Sequence, residues 1–560
     1  MLKMTTRQSK ARYARVALGT LVLMAGAQFA MATPPLQSRM GQPLPGLTAL
    51  ELERFVIGRQ LYGQPLTIQD GLGPIMNKSN CSSCHTNPVG GWGSIAVTHF
   101  GIDNKGEFEL YPGESQSLFQ LLAVSQGCAE TIPADATVVS ARVTNSSMAF
   151  GLIEAIPDAA IAANADPDDA DGDGISGRVH WVVPLETPGG APRAGRFGWK
   201  AQVATVLTFS GDAARNEMGF TNRLEPHENA PNNDTSRLLE CDPVADVEDV
   251  EDEEGFAFID RVTHFQRYLA PPPQTPRFGM AGEAVFMSVG CAKCHVPEWS
   301  SSNDPTLEAA IRGKTFRPYS DFLIHDMGLL GDGIQQDDAS ESEMRTPVLW
   351  GLRRRDPMLH DGRAAGGTFE SRVTQAILAH GPIGEGASSA AAFTALSAAE
   401  RQQLIAFLDS LGRIEFDLDG DNAVTLADFA LMRDCLAAGT ADPNQPCAIA
   451  DVDQDGLVNA SDMEAFALAF DGDAADCNSN GINDLVDIAV GGMPDNDGDG
   501  LPDSCTACAA DLSGDGMVNG FDLSLVLAGW GHAGTADLNG DGITDGIDLT
   551  AVLAAWGPCR

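Results

Sequence analysis

Between residues 33 and 412 the chain has few long runs of periodic apolar residues, because Gly and Pro keep interrupting them. Four stretches hold a helical period: Leu50 to Leu61, Ser115 to Ser125, Phe256 to Tyr268 and Ala398 to Leu411, the last stopped by Gly412. Beyond residue 413 the pattern changes to short loops rich in Asp, Asn and Gly, several of them followed by an apolar helical segment. A separate apolar run, Val16 to Ala30, is too short to span a bilayer. It follows Lys3, Arg7, Lys10, Arg12 and Arg15 and ends in Ala30-Met31-Ala32. Residues 1–32 therefore read as a signal peptide, and the mature protein as periplasmic or secreted from about Thr33. No later run predicts a transmembrane segment. At 560 residues the chain exceeds what one hydrophobic core organises, so several domains are expected.

Chemistry enters with one spacing that occurs twice, Cys81-Ser82-Ser83-Cys84-His85 and Cys291-Ala292-Lys293-Cys294-His295. Two thiols three positions apart can add across the two vinyl groups of one porphyrin, and the next histidine is then held under the iron as an axial ligand. The motifs predict two covalently bound haem c groups, attached through Cys81 and Cys84, and through Cys291 and Cys294, with His85 and His295 as ligands. A zinc ribbon would keep its two CxxC pairs close in sequence, and these lie in different regions of the chain.

The net charge of −42 argues against nucleic acid or anionic membrane as partners, since phosphate binding needs clustered Lys and Arg. More than half of the excess lies after residue 410, so the acidity belongs to the tail. Of 12 cysteines, four are assigned to haem. The other eight, in an oxidising compartment, predict disulfides. Cys128 with Cys241 and Cys435 with Cys447 are candidate pairs, the connectivity being open.

Aligning the two haem motifs exposes an internal repeat. Arg142 leads to Phe150-Gly151-Leu152 as Arg345-Thr346-Pro347 leads to Trp350-Gly351-Leu352. Arg196 to Ala201 is answered by His360 to Ala364, and Asn216-Glu217-Met218-Gly219 by Ala379-His380-Gly381. With the runs AFGLIEAIPDAAI, DPDDADGDGISGR, GRFGWKAQVATV, NEMGFTN, PYSDFLIHDMG, RTPVLWGL and LHDGRA, residues 40 to 412 resemble the di-haem oxidoreductase family. That family is related to bacterial di-haem cytochrome c peroxidases and to the di-haem enzymes that mature tryptophan cofactors. The resemblance implies a mainly α fold of two tandem cytochrome-c-like domains with their haems facing a common seam.

It also implies roles. His380 stands where the peroxidase relatives carry Met or Tyr and is the candidate sixth ligand of the second haem, against a helix C-terminal histidine satisfied by carbonyls. Glu217 occupies the matching place in the first half and is the candidate general acid/base, with pairing to Arg215 or helix capping as the competing reading. Trp199 is the candidate electron bridge between haems, against simple packing. The relatives carry a glutamine shortly before the Glu-Met pair; Leu207 stands near that place here. His99 reads as a surface turn histidine that could otherwise close the first iron, and His325, Met327 and His360 rank below the others. Asp169, Asp171 and Asp173 have alternate-oxygen spacing suited to calcium near the first haem, or to a solvated acidic loop.

In the tail, Asp417, Asp419, Asp421 and Asp428 fall at positions 1, 3, 5 and 12 of a calcium loop. Asp451, Asp453, Asp455, Asn459 and Asp462 repeat the spacing, as do Asp511, Ser513, Asp515, Asn519 and Asp522, and Asp537, Asn539, Asp541, Asp545 and Asp548. The twelfth residue is Asp, so the loops resemble the dockerin variety of EF-hand. Asp476 to Gly481 and Asp495 to Gly500 resemble thrombospondin type 3 calcium repeats, with Cys477, Cys505 or Cys508 as staples. The dockerin resemblance implies a cohesin-like or cell-surface partner.

The expected organisation is a signal peptide (1–32), a first haem domain (33–255), a second (256–412), a loop pair (413–475), a calcium-binding linker (476–510) and a second dockerin-like pair (511–560). The expected function is an exported, peroxidase-like di-haem oxidoreductase that exchanges electrons with a protein or small molecule. A non-catalytic electron-transfer cytochrome and a calcium-dependent scaffold-docking protein are the rivals.

Overall fold

The computed structural model describes residues 35–560 apart from 115, 473–474, 497, 507–508 and 559–560. The signal-peptide reading of 1–32 and the Cys508 staple lie outside the described residues. Among those described, no helix is long and apolar enough to cross a membrane.

The first helix runs Ala49–Gly63 and starts at Thr48, whose side chain accepts from Glu51 N while the Glu51 carboxylate accepts from Thr48 N. This reciprocal cap satisfies two amides that a helix start leaves open. The helix crosses Phe258–Tyr268 at Gly58, where a Cβ would lie 2.2 Å from the Arg261 carbonyl oxygen. Only glycine permits that approach. The second half repeats the device: Ala281–Ser288 crosses Ala398–Ser410 at Gly282, where a Cβ would lie 1.9 Å from the Gln403 carbonyl. Each CxxCH segment forms a short 3-10 turn, Cys81–Ser83 and Cys291–Lys293. The helix expected at Phe256 to Tyr268, at the start of the second haem domain, thus packs on the opening helix of the first.

One apolar core joins both halves, with Phe55, Tyr62, Phe150 and Phe265 from one side and Trp299, Ile311 and Phe322 from the other. A second core under the second CxxCH segment is built from Phe286, Tyr319, Leu404 and Phe407.

The mainly α expectation does not hold. The fold is 33% helical and 11% strand, with several small sheets. The largest places Ala96–Asn104 at the centre of antiparallel pairings with Glu107–Glu109, Leu118–Phe119 and Val138–Val143. The stretch Ser115 to Ser125, expected as a helix, supplies the strands Leu118–Phe119 and Leu122–Ala123 instead. Apolar residues at 118, 119, 121 and 122 satisfy a helical spacing and two short strands equally, and periodicity cannot separate them. The neighbouring β-branched residues Val97, Thr98, Ile102, Val138 and Val139 favour the extended alternative.

Two disulfides match the candidate pairs, Cys128–Cys241 and Cys435–Cys447, and a third joins Cys477 to Cys505. The first tail pair does not hang free. Glu415 accepts from Gln37 N at 2.9 Å and from Arg277 Nε at 3.0 Å, and Arg39 pairs with Asp471. Arg353 reaches into the first calcium loop, where Nη2 donates to the Gly420 carbonyl at 2.7 Å and lies 3.6 Å from Asp417 Oδ2. Its Nη1 pairs with Asp409.

Candidate functional site

Each CxxCH turn opens onto its own cavity. The first, with about 1470 Å³ of unfilled space including its mouth, is lined by Cys81, Cys84 and His85. The second, with about 1310 Å³, is lined by Cys291, Cys294 and His295. His85 Nδ1 donates to the Gly91 carbonyl at 3.1 Å and His295 Nδ1 to the Tyr319 carbonyl at 2.9 Å. That tautomer leaves Nε2 as the lone-pair nitrogen, which is what a metal ligand requires. Burial pushes both imidazoles down to about 4, so they stay neutral. The paired thiols and the oriented histidine that line each cavity fit a covalently attached porphyrin at each motif.

The two cavities differ in the other residues that line them. His380 lines the second one, with Nδ1 donating at 2.8 Å to the carbonyl of Ala376, one turn back at the end of the helix that His380 follows, the bond of a helix-terminal histidine, which leaves Nε2 as the lone-pair nitrogen. Glu217 and Met218, at the end of the helix Val206–Met218, line the first. Asn77 Nδ2 donates to Glu217 Oε2 at 2.8 Å. Burial, opposed by that bond and reinforced by Asp212, raises Glu217 from 4.5 to about 7. Arg215 turns away to Glu225 and the His227 carbonyl, so the competing pairing with Glu217 is absent.

Trp199 lines both cavities. Its Nε1 donates to the Val143 carbonyl at 2.9 Å, the Arg355 guanidinium lies 5.3 Å over its ring, and His360 approaches edge-on at 6.1 Å. His325 spends both ring nitrogens on carboxylates, Asp321 at 2.9 Å and Glu385 at 2.6 Å. Met327 lines the second cavity without a partner role of its own.

Sequence reasoning missed several residues here. His99 is no surface turn residue: it lies in the strand Ala96–Asn104, is 8% exposed, donates or accepts at Ser117 Oγ at 2.9 Å, and lines the first cavity. Asp212, on the same helix as Glu217, is a second cavity carboxyl that burial and Glu225 raise to about 6. No glutamine stands near Leu207, but Gln116, Gln202, Gln266 and Gln336 line the first cavity. The acidic loop lies by the second motif and not the first: Asp173 Oδ2 is 3.0 Å from Lys293 Nζ.

The four tail loops share one construction. The twelfth residue folds back on early loop amides: Asp428 Oδ1 accepts from Leu418 N, Asp462 from Val452 N, Asp522 from Ser513 N and Asp548 from Leu538 N. Each also caps the helix that follows, with Thr425, Asn459, Asn519 or Asp545 as the other half of the cap. The first residue accepts from the sixth amide, as in Asp417 from Asn422 N, Asp451 from Gly456 N, Asp511 from Gly516 N and Asp537 from Gly542 N. Carboxyl oxygens of Asp417, Asp419 and Asp421 converge on one point. Asp417 Oδ2 and Asp451 Oδ1 are buried and take no hydrogen bond, which fits a hard cation.

Residues 122–411 match the family described as "Di-haem oxidoreductase, putative peroxidase", more than half of the chain. The chain belongs to the di-haem oxidoreductase family. Residues 415–467 match the dockerin type I domain, which implies calcium and a cohesin-type partner. Among solved structures, hydrazine synthase of Kuenenia stuttgartiensis is similar at 12% identity, over 71% of this chain and 100% of its own, with a TM-score of 0.29. A MauG-like protein associated with microbial copper homeostasis is similar at 16% identity, over 69% and 94%, with a TM-score of 0.29. No curated protein matches.

Proposed function

We propose that the chain is an exported c-type di-haem oxidoreductase with peroxidase-like chemistry, its first haem reacting and its second storing or relaying an electron. The observation that carries this reading is the unequal furnishing of two cavities joined by Trp199: a second histidine, His380, in one, and an acid, Glu217, in the other. A haem with an open axial position supplies peroxide activation, and one with both positions filled supplies electron storage.

Glu217 at about 7 is partly protonated near neutrality, so it can take a proton from one peroxide oxygen and return it to the other. Asn77 fixes its carboxyl, and Asp212 one turn earlier gives a second site for the proton. Trp199 fills the wall between the two cavities with an aromatic ring where water or aliphatic packing would otherwise stand.

His99 favours a second reading. It lines the first cavity, and if it closed that iron both haems would be six-coordinate and the protein an electron carrier. Oxidised-state absorption and EPR spectra separate the two. A high-spin ferric signal that shifts with peroxide supports the enzyme; two low-spin haems indifferent to peroxide and cyanide in every redox state overturn it.

The mutual packing of Ala49–Gly63 and Phe258–Tyr268 supports a boundary between haem domains after residue 269, not at 255. The tail binds calcium in this reading, and the pair at 511–560 presents the exposed residues Phe521, Leu527, Trp530, Ile547, Leu553 and Trp556 to a partner. Retention of no envelope protein by the calcium-loaded full chain in a pull-down would remove the docking role.

A further inference from the structure

The second cavity holds two buried cations that form no salt bridge among the described residues, Arg345 feeling only the more distant Asp321. Arg345 is 7% and Arg355 6% exposed, and both line the cavity behind Cys291 and Cys294. Arg345 directs Nε to the Gly198 carbonyl at 2.7 Å and Nη1 to the Thr346 carbonyl at 2.8 Å. Arg355 Nη2 is buried and has no hydrogen-bond partner. Burial alone pushes the Arg355 guanidinium down to about 10, with no anion to offset it.

The first cavity shows the contrast. Its wall also contains a buried cation, Arg142, but Arg142 and the buried Lys200 behind it share Asp332, at 2.6 Å and 3.0 Å. A charge taken out of water is costly unless it is paired, so two guanidiniums in one wall without a carboxylate in contact call for an anion from outside the polypeptide. A guanidinium fork matches a planar carboxylate, and the cavity that holds the forks also holds two porphyrin-attachment thiols.

We infer that Arg355, together with Arg345, binds the carboxylate side chains of the porphyrin attached at Cys291 and Cys294. Because Arg355 also lies over the Trp199 ring, it ties the acidic edge of that haem to the residue that lines both cavities. The inference rests on the two-haem reading for its ligand and adds a positioning residue to it. A cation against a haem stabilises the reduced, more negative state, and a cation over an indole makes removal of an electron from it harder. Arg355 therefore acts on both ends of the electron path.

The test uses the full holo-chain with Arg355→Leu and Arg355→Lys. Mass spectrometry counts attached porphyrins, and spectroelectrochemical titration reads each haem separately. Wild type with fewer than two porphyrins would sink the two-haem reading before any variant is compared. With two present, Arg355→Leu is expected to lower the reduction potential of one haem and leave the other in place. Arg355→Lys, which keeps the charge and loses the fork, is expected to recover part of the shift. Potentials identical to wild type in either variant, with both porphyrins attached, would overturn the inference. Should the Leu variant fail to fold, the Lys variant alone decides: a smaller shift confined to one haem supports the inference, and no shift or equal shifts in both haems refute it.

Discussion

Glu217→Gln separates chemistry from architecture because the two respond in opposite directions. The amide oxygen of Gln can still accept from Asn77 Nδ2, so the local hydrogen bond survives while the exchangeable proton is lost. Burial holds the Glu217 carboxyl at about 7 against an ordinary 4.5. The folded chain therefore binds more protons than the unfolded chain between those values. Nothing is lost below about pH 4, and the folded state is progressively destabilised as pH rises through 7, by roughly 3 kcal/mol once the group is fully ionised. Gln is neutral throughout and escapes this cost. Denaturant titration should find the variant equal to wild type at pH 4 and more stable by roughly 3 kcal/mol at pH 8. Positioned acid/base groups contribute about 10²–10⁴-fold, so steady-state peroxide turnover should fall by that factor while both haem spectra stay unchanged. Turnover within tenfold of wild type, or a variant less stable at pH 8, would refute the role assigned to Glu217.

Trp199→Phe loses the bond to the Val143 carbonyl, at a cost of about 1 kcal/mol, and should slow electron exchange between the haems in rapid-mixing reduction without changing either spectrum. Chelating calcium should expose the region beyond residue 413 to limited proteolysis while the haem body resists, because the acidic loops then repel themselves. Arg353→Ala should weaken calcium binding by the first loop about fivefold or more in calorimetry, leaving the loops at 511–548 untouched. Replacing Cys128 and Cys241 by Ala opens a link across 113 residues and should lower stability by roughly 2–5 kcal/mol, read as a fall in Tm.

The two CxxCH turns, three of the four helices and the loop rhythm were legible because each rests on local spacing. Two disulfides were legible from cysteine parity and context. The sheet around Ala96–Asn104 was not, since its burial runs in blocks and not in alternation, and its partner strands are two to six residues long. Buried charge escaped for a different reason. Arg345 served in the sequence only as a marker of the repeat, and Arg355 stood out not at all, because hydropathy assigns guanidiniums to the surface. His99 was misplaced on the same ground. In the inference drawn above, the two guanidiniums are inside because of a ligand the sequence does not spell out, whereas His99 is held by Ser117.

Arg353, in the short turn Leu352–Arg354, and Arg355, which follows it, point in different directions, one into a calcium loop and the other to the wall of the second cavity. The tempting place to trim the gene, just past Gly412, would sever a buttress and not shed an appendage. Whoever grafts a foreign adaptor at that point should expect the electron-carrying half to register the change.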